Sequence, residues 1–323
     1  MLLGRGIVAL TESILVLRAL GLGDLLTGVP TLRSLRRAHP EARLVLAAPG
    51  GLRAVVDMVD AVDELLPTDG LGALDWQGAP PSLAVNLHGR GPQSIRDLLA
   101  QRPGEVLTHR HPEVGEQPGL HWRADVHEVD RWCRLLDFAG IEARRDDLGL
   151  PAPPVSSPRP QAIVVHPGAA YPARRWPPER YAEVARALRT DGHRVVVTGS
   201  PAERALAARV AAEAGLPDSA VLAGRTGLDE LAALVAEAAL VICGDTGVGH
   251  LATAFGTPSV LLFGPTPPKL WGPPPAAPQH VALWVGDVGD PHADHPDPGL
   301  LMLLPGRVLA AVDGLLREQE IHG

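Results

Sequence analysis

The sequence predicts an α/β protein made of two βα domains in series, and three observations carry that prediction. Short apolar runs alternate with longer amphipathic segments, the pattern of a parallel sheet covered by helices. A proline-dense stretch divides the chain near its middle, and the second half then restarts the rhythm of the first. A length of 323 residues suits two domains, and a hydrophobic share of 46% suffices for a sizeable core in each, which excludes global disorder.

In the first half, strands are expected at residues 14–17, 43–47, 83–87 and 105–108. Helices are expected at 25–38, 52–59 and 126–139. Residues 151–160 hold five prolines, which neither a helix nor a central strand accepts, so they read as a semi-rigid linker. Domains are therefore expected at 1–153 and 161–305. The second half predicts strands at 162–166, 194–198, 221–223, 240–243 and 259–263. Its helices are expected at 178–190, 202–214, 228–238 and 249–255. A proline-rich stretch and an irregular acidic segment then lead to a last helix at 306–319, within a terminal segment 306–323 expected to pack back on the first domain. Two such domains are expected to offer a ligand cleft at the carboxyl ends of their strands.

A net charge of −8 disfavours nucleic acid as a partner. Nearly all the cations are arginine, Lys269 being the only lysine. Cys133 and Cys243 are too few and too far apart for a disulfide scaffold or a cysteine zinc site, which suits a reducing cytoplasm. Arg5 and Glu12 interrupt residues 1–13, so a secretory signal is not expected. The most apolar stretch, 240–263, contains Asp245 and His250 and is too polar to span a bilayer. A cytosolic protein is expected, with peripheral contact at the inner face of the membrane left open.

The segment from Gly244 to His250, Gly-Asp-Thr-Gly-Val-Gly-His, follows a buried strand and opens a helix. Backbone N–H groups at such a helix start suit a diphosphate. Thr246 adds a hydroxyl, Gly247 and Gly249 permit close approach, and His250 can donate to a phosphate oxygen or support the leaving group. The alternative is that Asp245 and Thr246 only cap the helix. In the loop after the strand at 162–166, Arg174 and Arg175 offer planar forks matched to phosphate, beside an anchoring Trp176; a solvated pair is the alternative. In the first half, Asp24 follows Gly21 and Gly23 at a strand-to-helix turn and can take a proton as general base, unless it is only a cap. His88 and Arg90, after the strand at 83–87, are placed to meet an acceptor.

A nicotinamide cofactor is disfavoured, because Leu26 fills the third glycine position and no acidic residue follows the second strand to hold a ribose. Asp287, Asp290, His292, Asp294, His295 and Asp297 could ligate a metal, yet a run this rich in proline and glycine reads as a solvated loop or lid, so no metal is expected. No Walker loop or nucleophilic-serine elbow is found.

Three motifs in order, Leu22-Gly-Asp-Leu-Leu with Pro30 downstream, His166-Pro-Gly-Ala with Arg-Arg-Trp-Pro, and Gly244-Asp-Thr-Gly-Val-Gly-His-Leu, resemble glycosyltransferase family 9, the heptosyltransferases. The resemblance runs over nearly the whole chain and implies the GT-B fold: two Rossmann-like domains facing a central cleft. It implies an inverting, metal-independent transfer of a sugar, such as a heptose, from a nucleotide-diphospho-sugar such as ADP-heptose to a hydroxyl of a glycan or glycolipid. The nucleotide-sugar is then a co-substrate, and no cofactor is implied. In such enzymes the Gly-Asp aspartate, here Asp24, is the proposed base. The basic residue before the tryptophan, here Arg174 with Arg175 beside it, pairs with donor phosphates. Asp245, Thr246, Gly247 and His250 match the diphosphate-holding element, and Glu203 matches a glutamate that helps hold the nucleoside. The sequence departs from the family pattern in carrying arginine where lysine is usual, and an Asp/His-rich loop where many relatives have a cysteine-bearing tail. A GT-B-fold nucleotide-sugar epimerase and a non-catalytic nucleotide-sugar-binding protein are the alternatives.

Overall fold

The computed structural model describes residues 12–115 and 118–322. The expectation about a secretory signal therefore falls almost wholly outside the described residues. The chain divides into two compact units. The first takes the described residues up to Leu20 together with Gly28–Ala124 and Val129–Arg145. The second takes Gly21–Thr27, Asp125–Glu128 and the chain from Asp146 onward.

The first unit carries β1 (Ser13–Leu17), most of α1 (Leu22–Ala38), β2 (Arg43–Ala48), α2 (Arg53–Val59), β3 (Glu64–Pro67), β4 (Leu83–Asn86), α3 (Gln93–Ala100), β5 (Glu105–His109), β6 (Gly119–Leu120) and most of α4 (Glu128–Phe138). The strands form one parallel sheet in the order β3-β2-β1-β4-β5-β6. Residues Ile14 to Leu17 of β1 are wholly buried, as a central parallel strand covered on both faces requires. The chain leaves β1 toward β2 and later returns to its other side as β4, so the sheet reverses its winding between β1 and β4.

The second unit carries β7 (Ile163–His166), α5 (Pro178–Thr190), β8 (Val195–Val197), α6 (Arg204–Ala214), α7 (Leu228–Ala236), β9 (Leu240–Gly244), α8 (Gly247–Phe255), β10 (Ser259–Phe263), α9 (Pro268–Trp271), β11 (His280–Trp284), α10 (Pro298–Leu301) and α11 (Pro305–His322). Its parallel order is β11-β10-β9-β7-β8, and a single parallel bridge from Val197 to Val221 adds a sixth position beyond β8. With that bridge the winding repeats that of the first sheet, and the reversal lies between β7 and β9. Residues 221–223, expected as a strand, make only this bridge. The chain there has just left a 3-10 turn, Asp218–Ala220, and the Leu222 N–H donates once, to Val197 O, at 2.8 Å.

Trp176 and Tyr181 meet edge to face in the second core at 4.9 Å, and the Trp176 indole donates to Leu303 O at 2.9 Å. The last helix corrects an expectation. Val308, Val312 and Leu315 of α11 join this second core, and Gln319 donates to Ala239 O at 3.1 Å, so α11 belongs to the second unit and not the first. Its apolar stripe is satisfied by β10 and α5 of its own half. Among the described residues no helix is long and apolar enough to cross a membrane.

Candidate active site

Ligands of open parallel sheets bind outside the carboxyl ends of the strands where the winding reverses. In the second unit that point is framed by His166, ending β7, and Gly244, ending β9, whose register pairs His166 with Cys243. From there Asp245 and Thr246 lead into α8. Thr246 is extended (φ −154°, ψ 166°), and its carbonyl accepts from Gly249 N–H at 3.0 Å, but its side chain makes no capping bond. The hydroxyl thus stays available beside a helix start whose dipole favours an anion. Asp245, Thr246, His250, Thr253, Phe263 and Trp271 line a small pocket at this end of the sheet.

Two charged groups converge on it. Asp245 is buried, and burial raises its carboxyl from 3.8 to about 6, with Arg174 opposing the rise and the nearby Asp24 adding to it. Arg174 ends a 3-10 turn, Pro172–Arg174, with Nη1 4.0 Å from Asp245 Oδ2. Its Nε is buried and has no hydrogen-bond partner. An orphaned guanidinium N–H beside an uncapped helix start is what an anion would satisfy.

Asp24 reaches the same neighbourhood because the first turn of α1 groups with the second unit. The approach depends on glycine. A Cβ on Gly23 would come within 2.8 Å of His250 Cδ2, and one on Gly247 within 2.9 Å of Leu22 Cβ. Asp24 is the third residue of α1, inside the first turn, and so is not the residue preceding the helix that a cap would be.

The family model for glycosyltransferase family 9 (heptosyltransferase) matches residues 124–297, more than half of the chain. The chain belongs to glycosyltransferase family 9. Lipopolysaccharide heptosyltransferase 2 of Escherichia coli K12 is 28% identical to it over 347 residues, covering 95% of this chain and 99% of the relative. The solved E. coli ADP-heptose lps heptosyltransferase II superposes with TM-score 0.76 at 24% identity, covering 96% of this chain and 100% of that one, and so supports the GT-B fold. The iron-containing dodecameric glycosyltransferase TibC of enterotoxigenic E. coli H10407 shares the fold at TM-score 0.63 and 16% identity, covering 96% of this chain and 77% of that one.

The remaining candidate residues of this glycosyltransferase fall in distinct places. Arg175 turns back on its own loop, Nε donating to Ala169 O at 2.8 Å and Nη2 to Ala170 O at 3.5 Å, so two of its donors serve the loop's own backbone. Glu203 accepts from Ser200 N–H at 2.8 Å and lies where a Cβ on Gly168 would be, against the His166-Pro-Gly loop. Gly249 makes room for protein: a Cβ there would meet Leu261 Cδ2 at 3.0 Å and Cys243 Sγ at 3.3 Å. In the first unit, His88 follows β4 beside the winding reversal. Its N–H donates to Asn86 Oδ1 at 3.1 Å, its Nδ1 is buried without a partner, and burial, then Arg18, lower its pKa. Arg90 is exposed in the next turn.

The Asp/His run takes a structural part. Asp297 caps α10, accepting from Gly299 and Leu300 N–H at 2.9 and 3.2 Å, while Asp287, Asp290, His292, Asp294 and His295 are exposed. Among the described residues no three metal-ligating side chains converge. Sequence reasoning missed the pocket-lining Thr253, Phe263 and Trp271, and Tyr171, over whose ring Arg174 lies. A tryptophan shortly after the strand at 259–263 was the available signal; its T-shaped stacking on His250 at 6.0 Å emerges from the fold.

Proposed function

We propose that this family 9 glycosyltransferase moves a heptose from ADP-heptose to a hydroxyl of a cell-envelope glycan or glycolipid, with inversion and without a metal. The single observation that carries the reading is the chemistry gathered at the β9–α8 turn, which suits an anion. It combines an uncapped helix start, a spare Thr246 hydroxyl and an Arg174 Nε with no partner. Such a site can neutralise a departing diphosphate with fixed dipoles and a guanidinium, the task a cation performs elsewhere. The names of the relatives, ADP-heptose and lipopolysaccharide heptosyltransferases, support the donor and the envelope acceptor.

The acceptor oxygen attacks the anomeric carbon from the face opposite the diphosphate, and the bond to the departing phosphate oxygen breaks. Asp24 takes the hydroxyl proton, and the ADP charge develops against Arg174, Thr246 and His250. His88 and Arg90 serve the acceptor, Glu203 the nucleoside. The work is done in the cytoplasm, at the inner face of the membrane when the acceptor is a lipid.

A thermal-shift panel of nucleotide diphosphates and their sugars tests the donor: ADP and ADP-heptose should stabilise the protein selectively, and stabilisation by a different nucleotide would reject that donor. Asp24→Asn tests the base. Turnover should fall by about 10² or more with ADP affinity retained, since general-base contributions run about 10² to 10⁴. Near-normal turnover would remove Asp24 from the role. Full activity after exhaustive chelation is expected; its loss, with recovery on adding iron or another divalent cation, would refute the metal-free reading.

A further inference from the structure

We propose that Tyr171 and the loop of residues 287–297 form a strap that positions Arg174 for the donor diphosphate, an inference resting on the reading of Arg174 as a phosphate ligand. The Arg174 guanidinium has no bidentate carboxylate to orient it. Its nearest acid, Asp245, stands 4.0 Å away, and its Cζ lies 5.5 Å from the centre of the Tyr171 ring. The Tyr171 ring is thus the aromatic surface on which the guanidinium rests.

Tyr171 is itself held by the strap. The His292 ring meets it edge to face at 4.6 Å and 87°. The backbone beside Arg174 is tied twice: Ala173 N–H donates to Ala293 O, and Asp297 N–H donates to Ala173 O, each at 3.2 Å. The strap has anchors at both ends. Gly289 N–H donates to Pro265 O at 2.9 Å, just past β10, and the Asp297 carboxylate caps α10, whose Leu300 is fully buried in the second core. A continuous path of hydrogen bonds and ring contacts therefore runs from the core through residues 289–297 to Ala173 and Tyr171, and from there to the guanidinium. This gives the Asp/His run a function without a metal: its acids and turns shape the strap. Tyr171 and Asp297 are positioning residues, because neither needs to touch the donor.

Preorganising a long, rotamer-rich side chain lowers the cost of ordering it on binding. A cation–π contact at a partly exposed site corresponds to about two- to fivefold in affinity. The test is a double-mutant cycle on the full chain, with ADP affinity read by calorimetry and donor KM and kcat by transfer kinetics. Tyr171→Ser should weaken ADP binding by about two- to fivefold and raise donor KM more than it lowers kcat. Tyr171→Phe, which keeps the ring face, should bind ADP as the parent does. In an Arg174→Ser background, Tyr171→Ser should have no further effect. Parent-like affinity of Tyr171→Ser, or a loss that persists undiminished without Arg174, would overturn the strap. Parent-like affinity of Arg174→Ser alone would instead overturn the phosphate role of Arg174, so the two failures are distinct.

Discussion

Asp245 is the residue whose chemistry is most sharply set by its surroundings. Burial holds its proton in the folded protein up to about pH 6, whereas the unfolded chain releases it near 3.8. Between those values the folded state binds more protons, so this group's contribution to stability falls as pH rises through the window, by about 3 kcal/mol in all. Asp245→Asn mimics the protonated form. It should change the melting temperature only slightly at pH 4, where the loss has just begun, and raise it by several degrees at pH 8, as read by calorimetric melts. Equal melting temperatures for parent and variant at pH 8 would show that Arg174 compensates the buried charge in full. Asp245, Thr246 and Asp24 were legible in the sequence because each sits at a strand-to-helix turn beside glycines, a local signature. Tyr171 and Trp271 were not, because their part depends on ring faces brought to Arg174 and His250 from other segments.

At the scale of elements, the starts of α1 and α8 abut through glycine, and this juxtaposition brings Asp24 near the β9–α8 turn. Alanine in a helix is favoured over glycine by up to about 1 kcal/mol, so Gly247→Ala stabilises α8 taken alone. Its new Cβ would lie 2.9 Å from Leu22 Cβ, too close for either backbone to stay in place. The melting temperature should therefore change little, while kcat drops by roughly tenfold or more as the Asp24 turn shifts, an Å-scale misplacement costing about 10²-fold in favourable cases. Unchanged kcat in a folded Gly247→Ala would show that the two helix starts are not coupled. The long periodic helices were legible to within a few residues; α5 was read at its true bounds. Two short elements were not, although the seven-residue α2 and most of the central strands were. β3 is an edge strand of four residues, and α3 has eight residues just after the Gly91-Pro92 pair, too few turns to establish a period.

For the whole molecule, the two sheets repeat one winding order once the Val197–Val221 bridge is counted, and each reversal point carries candidate site residues: His88 in the first unit, Asp245 and His250 in the second. The doubling was legible because the prolines of residues 151–160 interrupt one alternation before the next begins. The destination of the last helix was not, because an amphipathic stripe of Val308, Val312 and Leu315 fits any apolar groove and names no partner. The partner follows from the path into it: Leu303 accepts from the Trp176 indole, and Arg180 donates to Leu301 and Leu303 carbonyls at 2.6 and 2.9 Å, which fixes where α11 begins. α11 is thus part of the structure that carries Trp176, two residues from Arg174. Leu315→Ala should cost about 2–5 kcal/mol of stability through lost burial and the cavity left behind. The same variant assayed well below its melting temperature should retain its ADP affinity, because Leu315 stabilises the second core without touching the pocket. Both are readable by urea unfolding and calorimetry on one preparation. A stability loss below 1 kcal/mol would mean that α11 docks loosely, and the anchoring of the Trp176 turn by this helix would then be wrong.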